Sequence, residues 1–152
     1  MNAYNVVNVA EIQVSYNPTC YNNPLISRSQ DAFNVLRKFI PNETISLQEH
    51  FLVMFLNNSN MVLGVYMLSK GGITSTSVDP RLILATALKV AATGMILCHN
   101  HPSGNLKPSE ADKMLTRKLT NAAAFMDIKI ADHIIMSGTN NSYFSFADEG
   151  LI

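Results

Sequence analysis

Apolar residues recur along this chain with two different periods, which together predict strands alternating with helices. Alternation with a period of two, and short unbroken apolar runs, are typical of strands, whereas a stripe every three to four residues is typical of a helix. Strands are predicted at residues 10–16, 50–56, 61–68, 73–78, 95–99, 128–136 and 142–146. Helices are predicted at residues 30–39, 81–92 and 109–126. The polar run 57–60 indicates a hairpin turn.

Polar residues mark the start of each predicted helix. Ser29 is the predicted N-cap of the first helix, and Asp79, followed by Pro80, is that of the second. Ser109 precedes acidic residues and caps the third. The second helix is apolar on nearly every side, so we expect it to be deeply packed. The apolar stripe of the third helix consists of Ala111, Leu115, Leu119 and Ala122.

The order of these elements predicts a mixed β-sheet flanked by helices, in an α/β or α+β domain of three layers. The chain has 152 residues and contains no repeat, low-complexity tract or linker. We therefore expect a single domain over residues 1–152, with its core at about 10–150. A hydrophobic fraction of 47% beside a charged fraction of 14% favours a compact chain over a disordered one.

The charges of the chain give no electrostatic reason for tight, nonspecific nucleic-acid binding. Lys plus Arg and Asp plus Glu number 11 each, so the formal net charge is zero.

No signal peptide is visible, and no apolar run reaches the length of a membrane span. We therefore expect a cytoplasmic protein with reduced thiols and no membrane partner. Cys20 and Cys98 lack the spacing of zinc or redox pairs, and Cys98 is predicted to be a buried core residue.

The stretch from His99 to Asp112 offers two imidazoles, a hydroxyl and a carboxylate within one strand–loop–helix unit. Side chains two apart in a strand lie on the same face, so His99 and His101 project together while Asn100 points the opposite way. Ser109 and Asp112 are three residues apart and can face the same side of the helix entrance. Three protein ligands with a fourth position left open are how a hydrolytic zinc site is built.

Zinc held by His99, His101 and Asp112 would lower the pKa of a bound water to about 7. A hydroxyl donor beside the metal can stabilise a developing oxyanion, and Ser109 is the candidate. Each residue alone also has a structural interpretation: Ser109 and Asp112 as a helix-capping pair, and the histidines as loop residues with local hydrogen bonds. All four together at this spacing favour the metal site.

Hydrolysis at such a site also needs a carboxylate that takes a proton from water and hands it to the leaving amine. Asp79 is already explained as a helix cap. Glu49 stands at the start of a predicted apolar strand, which can aim its side chain at the end of a neighbouring strand. Residues 46–49 also fit a capping box, so the residues alone favour Glu49 only modestly. The candidates are Glu43, Glu49, Asp79, Asp132 and Glu149.

Glu49 together with His99-x-His101-x7-Ser109-x2-Asp112 resembles the JAMM signature of the JAB/MPN-domain metallohydrolases. The chain is more similar still to the RadC-type JAB branch, over nearly its whole length from about residue 10. The stretches that carry this resemblance are 10–12, 48–51, 71–73, 78–81, 99–104, 108–109, 132–135 and 143–146.

The resemblance implies a fold similar to the cytidine-deaminase-like α/β arrangement. It implies zinc held by His99, His101 and Asp112 with water in the fourth position. It also implies Glu49 as general acid/base and Ser109 as support for the oxyanion. Relatives with known chemistry hydrolyse amide or isopeptide bonds, often at a ubiquitin-like tail, so a peptide or protein substrate is expected. For the RadC branch this expectation is an analogy of fold and site.

Two other functions compete with a metallohydrolase. Longer RadC-type proteins are similar to this chain in the JAB domain and look as if they carry a helix-hairpin-helix DNA-binding segment before it. The family has traditionally been labelled a DNA-repair family. We expect no such segment here, because the chain begins close to the domain, and this disfavours a nucleic-acid-processing role. A non-catalytic interaction domain is the least economical alternative, since the whole signature is present. A base deaminase is excluded, because its His-x-Glu and Cys-x-x-Cys are absent.

The sequence leaves the roles of His133 and Arg81 open, and it predicts the orientation of His50 and an exposed edge strand. His133, beside Asp132 in a predicted strand, can line the site or orient a ligand, or be an ordinary core or edge histidine. Arg81 can contact an anionic substrate tail or form a salt bridge. His50 is expected to point to the face opposite Glu49. An exposed edge strand near the N-terminus could pair two copies of the chain as a homodimer.

Overall fold

Five strands form one mixed sheet in the part of the chain that the structure describes. The computed structural model describes residues 9–18, 22–71 and 77–152. Its strands are β1 (His50–Leu56), β2 (Val62–Lys70), β3 (Gly94–His101), β4 (Lys129–Ser137) and β5 (Tyr143–Ser145). Its α-helices are α1 (Ser29–Leu36), α2 (Pro80–Lys89) and α3 (Glu110–Ala124), and a 3-10 turn at Arg37–Phe39 follows α1.

The strands lie in the order β2-β1-β3-β4-β5, and β3 is the central strand. β1 pairs antiparallel with both β2 and β3, and β4 pairs antiparallel with β5. β3 and β4 are parallel, so the chain must cross over between them, and α3 makes that connection. The predicted hairpin at 57–60 is confirmed by the β1–β2 pairing.

Side chains alternate across the sheet and build a core on each face. On one face, Leu52, Ile96 and Cys98 pack with α1 residues such as Phe33. On the other face, a second cluster joins the sheet to α2 and α3, and its members include Phe51, Val53, Leu97, Ile83, Ala87, Leu119 and Ala123. Each fully buried large apolar side chain contributes about 1.5–3 kcal/mol relative to exposure. The predicted three-layer arrangement around a mixed sheet is therefore confirmed, as is the burial of Cys98.

The predicted first strand, residues 10–16, is wrong. The segment is irregular and makes no strand pairing, and Ile12 and Val14 are 87% and 73% exposed. The start of β2 is bonded instead by residues 24–26, while the Tyr16 hydroxyl donates to the Leu63 carbonyl. Alternation of apolar residues describes two faces but supplies no pairing partner. The edge strand expected to pair two copies of the chain is therefore absent from residues 9–18.

Helix α2 is shorter and less buried than the sequence predicts. In α2 only Ile83 and Ala87 are buried, while Leu82 and Leu88 are about half exposed, at 49% and 51%. Deep packing of this helix was a wrong prediction, because one sheet covers only one side of a helix and none of the described residues buries Leu82 or Leu88 on its other side. The helix also ends at Lys89 rather than at residue 92.

Two more local predictions need correction. The buried stripe of α3 is Thr116, Leu119 and Ala123, so it is rotated from the predicted one and leaves Ala111 exposed. Helix α1 begins at Ser29, which therefore does not cap it. The predicted caps Asp79 and Ser109 are confirmed. Of the predicted strand at 73–78, residues 73–76 lie outside the described part of the chain, and 77–78 are irregular.

Candidate metal centre

The C-terminal end of β3 presents two histidines on the sheet face that α3 covers. β3 continues through His101, where it pairs with Ser137 of β4, so the alternation of a strand holds for the whole His99–His101 segment. Both imidazoles lie on one side, and Asn100 points to the other, as predicted. Asp112 reaches the same point from the first turn of α3.

Potential ligand atoms of three residues converge there. The Nε2 atoms of His99 and His101 are 3.0 Å apart. Asp112 Oδ1 is 3.2 Å from His99 Nε2, and Asp112 Oδ2 is 3.6 Å from His101 Nε2. Zinc–ligand bonds of about 2.0–2.2 Å in a tetrahedron separate two ligand atoms by about 3.3 Å. The three residues therefore fit a zinc-sized cation, and as a group they could hold a metal ion.

The carboxylate of Asp112 is held by the start of its own helix. The Ser109 backbone N–H and hydroxyl each donate to Asp112 Oδ2 at 2.7 Å, and the Asp112 N–H donates to Ser109 Oγ at 3.1 Å. This is a capping box, so the structural interpretation of Ser109 is realised. The same bonds orient Asp112 towards the histidines. The role of Ser109 in stabilising an oxyanion stays a prediction, because its hydroxyl donates to Asp112.

The neighbouring charges shift two of the pKa values. Burial acts to raise the pKa of Asp112, but the imidazoles of His101 and His99 that face the carboxylate outweigh it and hold that pKa well below the usual range. The facing carboxylate of Asp112 raises the pKa of His101, with a smaller contribution from the acceptor carbonyl of Asn105. That carbonyl lies 2.5 Å from His101 Nδ1, so Nδ1 carries a proton. The other nitrogen, Nε2, is the one that faces Asp112.

Glu49 lies just before β1, next to the histidine cluster. Phe51 pairs with His99, so continuing the antiparallel register by two residues sets Glu49 opposite His101 and on the same face. The charge of Glu49 contributes to the raised pKa of His101. Glu49 is half-buried. Its position therefore combines access to water with proximity to the cluster.

The other carboxylates considered as bases are engaged or remote. Asp79 caps α2 and pairs with Arg81 at 2.8 Å, which favours the salt-bridge interpretation of Arg81. Asp132 is buried and accepts from the Ser145 hydroxyl at 2.6 Å and from Ala147 N at 3.0 Å. The two remaining candidate bases are exposed and do not belong to the His99–His101–Asp112 cluster. They are Glu43 and Glu149.

Asn100 fixes the backbone on both sides of Glu49. Its side-chain NH₂ donates to the carbonyls of Ile45 and Gln48 at 2.7 and 3.0 Å. Its side-chain oxygen accepts from the His50 N–H at 2.7 Å. Asn100 is fully buried, so these bonds form away from water and hold the segment that carries Glu49.

His50 confirms the expected division between the two faces of the sheet. Its Nδ1 lies 3.3 Å from the side-chain oxygen of Asn100, and its Nε2 lies 3.1 Å from Thr44 Oγ1. His50 is fully buried. It therefore belongs to the Asn100 side of the sheet, opposite the candidate metal centre.

His133 joins the site directly. Its Nε2 lies 2.8 Å from His99 Nδ1, and its Nδ1 lies 2.7 Å from Thr116 Oγ1. Its ring is fully buried, stacks on Phe146 and meets the edge of Phe51. Burial holds the pKa of His133 well below its ordinary value. The sequence left the role of this histidine open, and its contact with His99 places it behind that proposed metal ligand.

Thr116 is the site residue that the sequence analysis missed. Its hydroxyl donates to the Asp112 carbonyl at 2.7 Å and contacts His133. One signal was present: Thr116 follows Asp112 by four residues, so both lie on one face of the predicted helix. A threonine inside an apolar stripe nonetheless has no local feature that indicates a site.

Within the described part of the chain, no helix is long and apolar enough to cross a membrane.

Comparisons with known proteins identify the family. A family model described as "RadC-like JAB domain" matches residues 26–151. A UPF0758 protein of Flavobacterium johnsoniae is 49% identical over 126 residues, which are 83% of this chain and 53% of that protein. A UPF0758 protein of Porphyromonas gingivalis is 41% identical over 127 residues, covering 84% and 54%. UPF0758 protein YeeS of Escherichia coli K12 is 42% identical over 105 residues, covering 69% and 70%.

The chain spans about half the length of the first two of these relatives. The matched region contains α1, the whole sheet and the His99–His101–Asp112 cluster. The match therefore covers both the fold and the candidate site. This chain belongs to the RadC-like JAB domain family.

Proposed function

We propose that this chain is a zinc-dependent hydrolase that cleaves an amide, peptide or isopeptide bond in a peptide or protein substrate. The observation that carries the proposal is the convergence of His99, His101 and Asp112 within 4.8 Å, beside the strand end that bears Glu49. Two neutral imidazoles and one carboxylate leave a fourth zinc position for water. Membership of the JAB family supports the same chemistry.

Each residue of the candidate site has a distinct role in the proposed reaction. Zinc, when bound, supplies Lewis acidity and lowers the pKa of water to about 7. Glu49 would act as the general acid/base, accepting a proton from the attacking water and delivering it to the leaving nitrogen. The Ser109 hydroxyl, which donates to Asp112 in this structure, turns to the substrate oxygen as negative charge develops there. Asn100 keeps Glu49 in place through the backbone on both sides of it.

The first test is the metal content of the purified protein, measured by elemental mass spectrometry. We expect about one zinc per chain in the wild type, because the three-ligand geometry fits one ion. The His99→Ala and Asp112→Ala variants should both lose it. A folded wild-type protein that holds no zinc after reconstitution would contradict the proposal and favour a non-catalytic interaction domain.

The Glu49→Gln variant separates chemistry from metal binding. Glutamine keeps the size of the side chain but cannot accept the proton, so zinc content should stay at the wild-type level. Hydrolysis of a peptide or isopeptide panel should fall at least 100-fold, the low end of the contribution of a general acid/base. Glu43→Gln, an exposed carboxylate outside the cluster, is the matched control and should keep full activity. Retained turnover in Glu49→Gln would eliminate Glu49 as the base.

A further inference from the structure

A hydrogen-bonded chain leads from the proposed metal ligand His99 back into α3. His99 Nδ1 contacts His133 Nε2 at 2.8 Å, and His133 Nδ1 contacts Thr116 Oγ1 at 2.7 Å. The Thr116 hydroxyl then reaches the Asp112 carbonyl at 2.7 Å. The chain starts at one proposed ligand and ends on the backbone of another, and all its side chains lie in the core.

The direction of every hydrogen bond follows from the last one. A backbone carbonyl can only accept, so the single proton of Thr116 is donated to Asp112. Thr116 Oγ1 must then accept from His133, which puts the His133 proton on Nδ1. A neutral imidazole with its proton on Nδ1 has a lone pair on Nε2, and that lone pair accepts from His99 Nδ1–H.

A neutral His133 is the form that this position favours. The ring is 0% exposed and packs between Phe51 and Phe146. The adjacent carboxylate, Asp132, bonds the backbone of His133 and points to the opposite side of the strand, where Ser145 holds it. Burying an imidazolium without a paired carboxylate costs several kcal/mol, about the penalty of an unpaired buried ion.

We propose that His133 and Thr116 act as positioning residues that hold the proton of His99 on Nδ1, so that His99 presents the lone pair of Nε2 to the metal. The inference rests on the proposed metal site and adds to it the groups that orient one ligand. A histidine that ligates a metal usually donates its other N–H to a fixed acceptor, and that acceptor raises metal affinity. Here the acceptor is a second histidine, whose own tautomer is set by a threonine of α3.

The first measurement determines the tautomers directly. Long-range ¹H–¹⁵N correlation spectra of the metal-free protein, taken at alkaline pH, distinguish protonated from unprotonated ring nitrogens. We expect the proton of His99 on Nδ1 and that of His133 on Nδ1. In Thr116→Val, which removes the hydroxyl at nearly constant volume, His133 should lose its single tautomer. A wild-type His99 protonated on Nε2 would overturn the inference.

The second measurement is zinc affinity by competition with a chelator, which needs no substrate. His133→Leu should bind zinc about 10–100-fold more weakly, and Thr116→Val about tenfold more weakly. His133→Gln should recover part of the loss, because its amide oxygen can accept from His99 Nδ1–H. The matched control is His50→Gln, a fully buried histidine on the other face, and it should bind zinc like the wild type.

The possible outcomes separate this inference from the proposed function. Wild-type affinity in both His133→Leu and Thr116→Val overturns the inference even if hydrolysis is found. Weakened binding in these variants upholds it even if no amide substrate is cleaved, in which case only the hydrolase proposal fails. A wild type that binds no zinc overturns both. Should His133→Leu fail to fold by circular dichroism, Thr116→Val and His133→Gln decide the question.

Discussion

Single residues of the candidate site each use one polar atom for support and leave another for the cluster. His99 bonds His133 through Nδ1, and His101 bonds the Asn105 carbonyl through Nδ1, so both Nε2 atoms face inward. Asp112 uses Oδ2 for Ser109 and turns Oδ1 towards His99. A side chain supported in this way loses little further freedom when it binds a metal.

The raised pKa of His101 makes stability depend on pH in the metal-free protein. Its folded pKa lies above the ordinary value of 6.5, so this stabilisation is complete below 6.5 and is lost as the pH rises through the folded pKa. The stability of the wild type relative to His101→Gln should therefore fall as the pH rises above 6.5. Chemical denaturation of both proteins with a chelator present measures the difference.

Comparing the two proteins removes the effect of other groups. The lowered pKa of His133 acts in the opposite direction, because its contribution is lost as the pH falls through the unfolded value, and its main cause, burial of the ring, is present in both proteins. A difference in stability that grows with pH, or stays constant, would contradict the assignment to His101.

Elements of the fold carry two functions on their opposite sides. β3 presents the histidines towards α3 and presents Asn100 towards the segment before β1, because successive side chains of a strand point to opposite faces. α3 also has two functions, but at different points along its length: its capping box orients Asp112 at the start, and its buried stripe packs on the sheet further along. The placement of Glu49 therefore depends on a residue located between two proposed metal ligands.

Replacing Asn100 tests the importance of this strand side chain. Asn100→Ala leaves the His50 N–H and the carbonyls of Ile45 and Gln48 without their partner. Each buried unsatisfied group costs about 1–3 kcal/mol, so the free energy of unfolding should fall by about 3 kcal/mol or more. Urea unfolding measures this change. Asn34→Ala, on the exposed side of α1, is the control and should change stability by no more than about 0.5 kcal/mol.

The same variant has a second expected result. The histidine ligands lie on the opposite face from Asn100, so Asn100→Ala should still bind zinc while its folded state persists. Hydrolysis should fall, because Glu49 is no longer held from both sides. Unchanged stability in Asn100→Ala would mean that the loop before β1 does not depend on these bonds.

At the scale of the whole molecule, the site is assembled from four parts of the chain. The segment before β1 supplies Glu49, β3 and α3 supply the proposed metal ligands, and β4 supplies His133. A bound ion would connect the sheet to α3 across the loop 102–109. Metal binding should therefore stabilise the folded domain, because the unfolded chain does not assemble these ligands.

Zinc should raise the melting temperature. At a free zinc concentration 100 times the Kd, binding to the native state alone adds about 2.7 kcal/mol. For a domain of this size that corresponds to a shift of about 5–10 °C. Differential scanning calorimetry with zinc and with chelator measures it. Asp112→Ala should show no shift, and an equal shift in that variant would mean that zinc binds elsewhere.

Some features of the fold were predictable from the sequence because their cause is local. The Asp79–Pro80 helix start and the 57–60 hairpin were confirmed, since turn and cap chemistry depends on adjacent residues. The strand at 10–16 and the deep burial of α2 were wrong, because both depend on whether another element covers the apolar face. Apolar composition alone cannot specify that partner.

The grouping of the polar side chains at the candidate site follows from local features of the sequence. The two-residue period of a strand brings His99 and His101 together, and the capping box sets Asp112 beside Ser109. That Asn100 holds the segment of Glu49, and that His133 supports His99, follows from the three-dimensional fold alone. These partners are 50 and 34 residues apart, so their meeting depends on strand order and register, which no local period encodes.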